Sequence, residues 1–176
     1  MNRYIASMNF KHLMKYVSLL IVGLLAGNSF AFVLGVGSAI EKLSASSYIA
    51  FHESMQRSFL SWTPLLCGFL VLILGSLLVA LRKEWREFEF FFVLFALLCI
   101  LDELVMSWNG NFPLNRIINA WRVEGAPSDW SYVRTQWLHF MYWRCALMIS
   151  SFILLLASVF LTKTDSRLSP NVAAAF

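Results

Sequence analysis

Charge is what this chain has least of. Asp, Glu, Lys and Arg make up 14% of its 176 residues, against 59% hydrophobic residues. A soluble domain carries about 25% charge, so a water-facing surface of ordinary composition is excluded. Cysteine is also scarce: Cys67, Cys99 and Cys145 are odd in number and match no metal-ligand spacing. That excludes a disulfide scaffold, and the three read as small core residues. His52, Glu53, Asp102, Glu103 and His139 are ligand types, but no His-x-x-x-His or Glu-x-x-His pair occurs, so the usual metal motif of a helical bundle is missing. A glycine-rich phosphate loop, a nucleophile elbow and a haem-ligand pattern are missing too. No cofactor is expected. The net charge of +4 lies mostly at the ends of apolar runs, where lipid head groups and topology account for it, so no nucleic-acid partner is implied.

What the chain does have is four apolar runs of 20 to 22 residues: Tyr16–Val36, Trp62–Leu81, Phe88–Trp108 and Phe140–Leu161. A membrane-spanning helix needs about 20 mostly apolar residues, because the hydrocarbon core is roughly 30 Å thick and a helix rises about 1.5 Å per residue. The runs predict one all-α membrane domain over residues 1–176, a four-transmembrane-helix bundle in a lipid bilayer. The start resembles a cleaved signal, with basic residues, an apolar stretch and Ser29-Phe30-Ala31. The stretch runs on through Phe32, Val33 and Leu34, so it is expected to stay as the first span.

Basic residues set orientation. Eight of them (Arg3, Lys11, Lys15, Arg82, Lys83, Arg86, Lys163 and Arg167) fall on the side of the two termini. Five (Lys42, Arg57, Arg116, Arg122 and Arg134) fall in the long links on the other side. Both termini are therefore expected on the cytoplasmic side. Within the first link, Tyr48, Ile49, Phe51, Met55, Phe59 and Leu60 alternate with His52, Glu53, Gln56 and Arg57. That pattern predicts an amphipathic interfacial helix between the first two spans, capped by Ser44, Ser46 or Ser47. In the third link Pro113 and its neighbours Asn111 and Asn115 predict a short structured corner that starts a short helix through Ile117 and Ile118. The aromatic residues Trp108, Trp121, Trp130, Tyr132 and Trp137 suit interfacial anchoring. Gly23, Gly27, Ala31 and Gly35 form a small-residue stripe along the first span, able to close the bundle or seat a neighbouring subunit. The third span, rich in Phe, Leu and Val, is expected to be the one most exposed to lipid.

Three charges lie inside spans: Asp102 and Glu103 in the third, Arg144 in the fourth. Each costs about 2.5–3.5 kcal/mol in a bilayer, so they are expected to face inward and pair. Asp102 lies about 9 Å inside Trp108, and Arg144 about 10 Å inside Trp137. The depths match, so Arg144 is predicted to pair with Asp102 or Glu103. Asn28, His52 and His139 are expected near the same half of the bundle.

Asn111-Phe112-Pro113-Leu114-Asn115, followed by Trp121 and then by Trp137 and Arg144 seven residues apart, resembles the anthrone-oxygenase-like family of small four-helix membrane proteins. The family often has Asn where this chain has Met141. The resemblance implies oxidation of a lipid-soluble anthrone-like phenolic or quinol-like substrate by molecular oxygen. It implies Arg144 as oxyanion stabiliser, His52 or His139 as general base, and Asn28, Asp102, Glu103, Asn111, Asn115 and Trp137 around the substrate. The alternative is a non-catalytic accessory subunit of a larger membrane complex, or a homo-oligomer. A transporter is disfavoured, since the spans show neither broken-helix repeats nor a polar line through their cytoplasmic halves.

Overall fold

The computed structural model describes residues 2–60 and 62–168, with side chains over 10–58 and 62–160. Among the described residues there is helix and no strand. The helices are α1 (Asn2–Ala31), α2 (Gly37–Glu41), α3 (Ala45–Leu60), α4 (Thr63–Leu81), α5 (Phe88–Met106), α6 (Phe112–Glu124) and α7 (Trp130–Leu168). A π-helical turn over Phe32–Val36 joins α1 to α2, and another over Ser107–Asn111 joins α5 to α6. Four helical stretches are long and apolar enough to cross a membrane: Phe10–Glu41, Thr63–Glu84, Phe88–Glu124 and Trp130–Phe160. This fits a multi-pass integral membrane protein.

The four long helices α1, α4, α5 and α7 form a ring in chain order, with α5–α7 the most extensive interface and α1–α7 next. Contacts fix the directions. Ser151 Oγ donates to the Ala96 carbonyl at 3.1 Å, and Arg144 meets Glu103, so α5 and α7 are antiparallel. Gly23 abuts Phe152 and Gly37 abuts Tyr142, so α1 and α7 are antiparallel too. Lys11 and Lys15 reach Glu84 and Glu89, which brings the start of α1 to the α4–α5 turn. The core along the spans is Val22, Leu70, Leu74, Val93, Ile100 and Leu155. In lipid such a core gains from van der Waals packing rather than from removal of water.

A second core occupies the far end of the bundle, where Phe32, Ile40, Tyr48, Ile118, Trp121 and Trp137 pack together. Here α3 lies against α6. The Ser44 hydroxyl accepts from the Ser47 N–H at 3.4 Å, a cap at the start of α3. The C-terminus of α6 is closed by Gly125, whose φ of 81° suits glycine alone, with its N–H on the Trp121 carbonyl at 2.9 Å.

Three expectations change. The predicted corner at Asn111–Asn115 is helical: the third span continues through a π-helical turn into α6. Pro113 is the second residue of α6 and directly follows the π-helical turn, so its missing N–H falls where the helical hydrogen-bond pattern is already irregular. The first span, not the third, buries the smallest share of itself. The small-residue stripe divides: Gly23 is packed against Phe152, while Gly27, Ala31 and Gly35 face outward. The side chains of Arg3, Phe59, Leu60, Leu161, Lys163 and Arg167 lie outside the described residues.

Candidate functional site

The far end of the bundle holds one hydrogen-bonded network that starts from Arg144. Its Nε and Nη2 both donate to Glu103 Oε1, at 2.8 and 2.6 Å. The Ser107 hydroxyl donates to the same oxygen at 3.2 Å. Glu103 is 4% exposed, so this carboxylate is removed from solvent and needs all three donors. Arg144 Nη1 donates to Asn111 Oδ1 at 3.2 Å and contacts Met141 Sδ at 3.3 Å. Asn111, fully buried on the π-helical turn, donates its Nδ2 to the Trp137 carbonyl at 3.2 Å.

The network continues through Trp137 to α3. Trp137 Nε1 donates to Asn115 Oδ1 at 2.8 Å, and His52 Nε2 is 3.0 Å from that oxygen. An indole N–H can only donate, so the oxygen of Asn115 must face Trp137. The same oxygen can only accept from His52. The imidazole is therefore the Nε2–H tautomer, and its Nδ1 carries a lone pair. That Nδ1 is buried and has no hydrogen-bond partner among the described residues. Burial pushes the His52 pKa below its ordinary value, and the Asn115 bond offsets part of that. His52 is thus held as a neutral base.

Aromatic rings surround it. Trp137 stands edge-on to His52 at 5.3 Å between centroids, and Tyr48 lies 5.9 Å away. Tyr48 is fully buried with an unpartnered hydroxyl. Burial raises its pKa, with the Arg134 guanidinium partly opposing. Arg134 donates to the Leu43 carbonyl at 3.1 Å and stacks on Trp130, 4.6 Å from the ring centroid. Toward the surface, Glu53 accepts from Arg57 and, at 2.6 Å, from Arg122 of α6. Partial burial pushes the Glu53 pKa up, but the two guanidinium groups outweigh it and hold the carboxyl below its usual range.

His52, Glu103, Asn111, Asn115, Trp137 and Arg144 are therefore brought together. Three other residues expected around the site are not. Asn28 is exposed on the outer face of α1. Asp102 points outward, one residue or about 100° from Glu103. His139 is exposed on α7, where its Nε2 accepts from Trp143 Nε1 at 3.0 Å. Ser107 and the proximity of Tyr48 escaped the sequence reading, although each lies four residues from a network member on one helix face (Glu103 and His52). Also unread was Lys15, which is buried at the opposite end and paired with Glu89 at 2.5 Å. Among the described residues no group of three His, Cys, Asp or Glu side chains is placed to hold a metal ion. The comparisons with family models, with curated proteins and with solved structures return no match to this chain.

Proposed function

We propose that this chain is a membrane-embedded oxygenase acting on a lipid-soluble, anthrone-like phenolic or quinol substrate, with His52 as the general base. One observation carries the reading. Motif residues dispersed from Asn111 to Arg144 converge with His52 on a single buried network, and that network leaves one imidazole nitrogen neutral and unpartnered. Burial that lowers the His52 pKa keeps the imidazole unprotonated and available to take a proton near neutral pH, at some cost in basicity. Trp137 and Tyr48 flank the imidazole, and aromatic rings pair favourably with a flat ring system.

The simplest substrate of this class is anthrone itself. The ring CH2 gives a proton to His52 Nδ1, and the electron-rich anion then reduces molecular oxygen. The ring carbon is oxidised to a carbonyl with one oxygen atom, and the other leaves as water with both hydrogens. Arg144 is a positioning residue in this scheme, because three of its N–H groups hold Glu103 and Asn111 and it reaches His52 only through Asn111, Trp137 and Asn115. His52 is favoured over His139 because His139 is exposed and its Nε2 is occupied by Trp143.

The test is quinone formation and oxygen uptake with anthrone and the purified protein in lipid vesicles. The expected result is catalysed turnover that falls about 10²–10⁴-fold in His52→Ala, the usual contribution of a general base, and is unchanged in His139→Ala. Asn115→Asp should favour the imidazolium and move the acidic limb of the rate profile to higher pH. Full activity in His52→Ala, or no turnover by the wild-type protein, overturns the proposal.

The accessory-subunit reading also has a supporting observation. Gly27, Ala31 and Gly35 form an outward stripe, and among the described residues nothing lies within 4 Å of a Cβ placed at Gly27 or Gly35. Close helix packing against a neighbour would use such a stripe. Co-migration of the native protein with defined other subunits in mild detergent would favour this reading; a particle of this chain alone would sink it.

A further inference from the structure

Asp102 is a charge in an unexpected place. It lies within the third apolar span, about 9 Å below the level of Trp108, and its side chain is exposed on the outside of the bundle. The inward position is taken by Glu103, which satisfies Arg144. Among the described residues Asp102 has neither a hydrogen-bond partner nor an ion-pair partner. It lines a groove of about 600 Å³ between α5 and α7, whose other walls include Phe95, Leu98, Val105, Leu147 and Leu154. Among the described residues it is the only carboxylate or cation lining that groove.

A carboxylate facing lipid at this depth is unfavourable, and such groups are retained where something pairs with them. Asp has a short side chain, without the long stem by which Lys or Arg reaches the head groups. The groove therefore presents one unmet charge in an apolar trough along a helix–helix seam. A second copy of this chain does not answer it. The cations well inside the described spans are Lys15 and Arg144, and both are turned inward and paired, with Glu89 and Glu103.

We infer that the α5–α7 groove docks a single transmembrane helix of another protein, one that carries a Lys or Arg at the depth of Asp102. The apolar walls accept the helix flank, and Asp102 selects the partner by its charge. The site is separate from the His52 network, and the inference stands whether or not the chain turns over anthrone.

The test uses synthetic single-span Leu/Ala helices with an interfacial Trp, labelled for energy transfer to the full-length protein in lipid vesicles. One carries Lys about six residues inside that Trp, one carries Leu there, and one carries Lys in the opposite half. The expected result is at least tenfold tighter association of the first helix than of the other two. Asp102→Asn should abolish that preference and Asp102→Glu should retain it. Leu98→Trp, which fills the groove and leaves the charge, should weaken association. Asp102 faces outward, so unchanged thermal unfolding of Asp102→Asn is the control for folding. Equal association of the Lys and Leu helices overturns the proposal, as does a Lys preference that survives in Asp102→Asn. Self-association of the wild-type chain that depends on Asp102 overturns it in favour of a second copy.

Discussion

Replacing Arg144 by Met tests whether the buried ion pair holds the α5–α7 interface together. The change removes both guanidinium donors to Glu103 and leaves the Ser107 hydroxyl, at 3.2 Å, as its remaining hydrogen-bond donor among the described residues. The Glu103 side chain is 5% exposed and that of Arg144 20% exposed, so water relieves the lone carboxylate poorly. Removing one partner of a buried pair costs about 3–5 kcal/mol, or two to four powers of ten in the folding equilibrium at roughly 1.4 kcal/mol each. Glu103→Gln should cost less, about 1–3 kcal/mol, because the amide oxygen still accepts and Arg144 keeps Asn111. The double variant should therefore be more stable than the sum of the single losses by at least about 1 kcal/mol. Arg134→Met is the reference. It removes one hydrogen bond to the Leu43 carbonyl and one stacking contact with Trp130, about 1–2 kcal/mol together. The assay is reversible unfolding of purified variants in mixed micelles, titrated with a denaturing detergent. Equal losses for Arg144→Met and Arg134→Met, or strict additivity of the two changes at the pair, would refute the reasoning.

Other expectations follow from particular contacts. Gly110→Ala would drive a Cβ into the Phe140 ring and should lower stability by about 1–3 kcal/mol, with Phe140→Leu restoring part of it in the same unfolding assay. No described atom lies within 4 Å of a Cβ placed at Gly27, and Gly27→Leu should leave unfolding unchanged within about 0.5 kcal/mol, whereas a Cβ at Gly23 already lies 3.2 Å from the Phe152 ring and Gly23→Leu should lower stability. The Glu53 carboxyl is held below its usual range, so its link between α3 and α6 is present above that range and is lost as pH falls through the depressed value. Protection factors in α3, taken against the intrinsic exchange rate at each pH, should therefore fall on acidification, and Glu53→Gln should show the lower protection already at neutral pH.

The spans were legible because length and hydropathy are properties of the sequence, and the four expected apolar runs lie within helical stretches except for Trp62, which caps α4. The Arg144 pair was legible to within one residue, since depth follows from counting residues from an interfacial Trp. Choosing Glu103 over Asp102 required the rotation of α5, which packing against α4 and α7 sets. The Asn111–Asn115 segment was misread because Pro113 signals a helix start as well as a helix end, and local chemistry does not separate them. His52 looked like a polar member of an amphipathic surface. Its burial depends on Trp137 and Asn115, which are 85 and 63 positions away in the chain, and no local pattern reports contacts of that range.

The π-helical turn at Ser107–Asn111 has a consequence for how this protein tolerates change. In such a turn each N–H reaches back five residues instead of four, so about one extra residue is taken up without lengthening the span. Every later position is thereby offset by roughly 100° around the axis. Glu103 precedes the turn and Asn115 follows it, so the angular phase between the ion pair and the histidine's partner depends on residue count, not on residue kind. A deletion of one residue within the turn would leave hydropathy and span length almost untouched, yet would swing Asn115, Ile118 and Trp121 off their shared face. Residue-by-residue substitution would pass over this dependence, and a change of length would expose it.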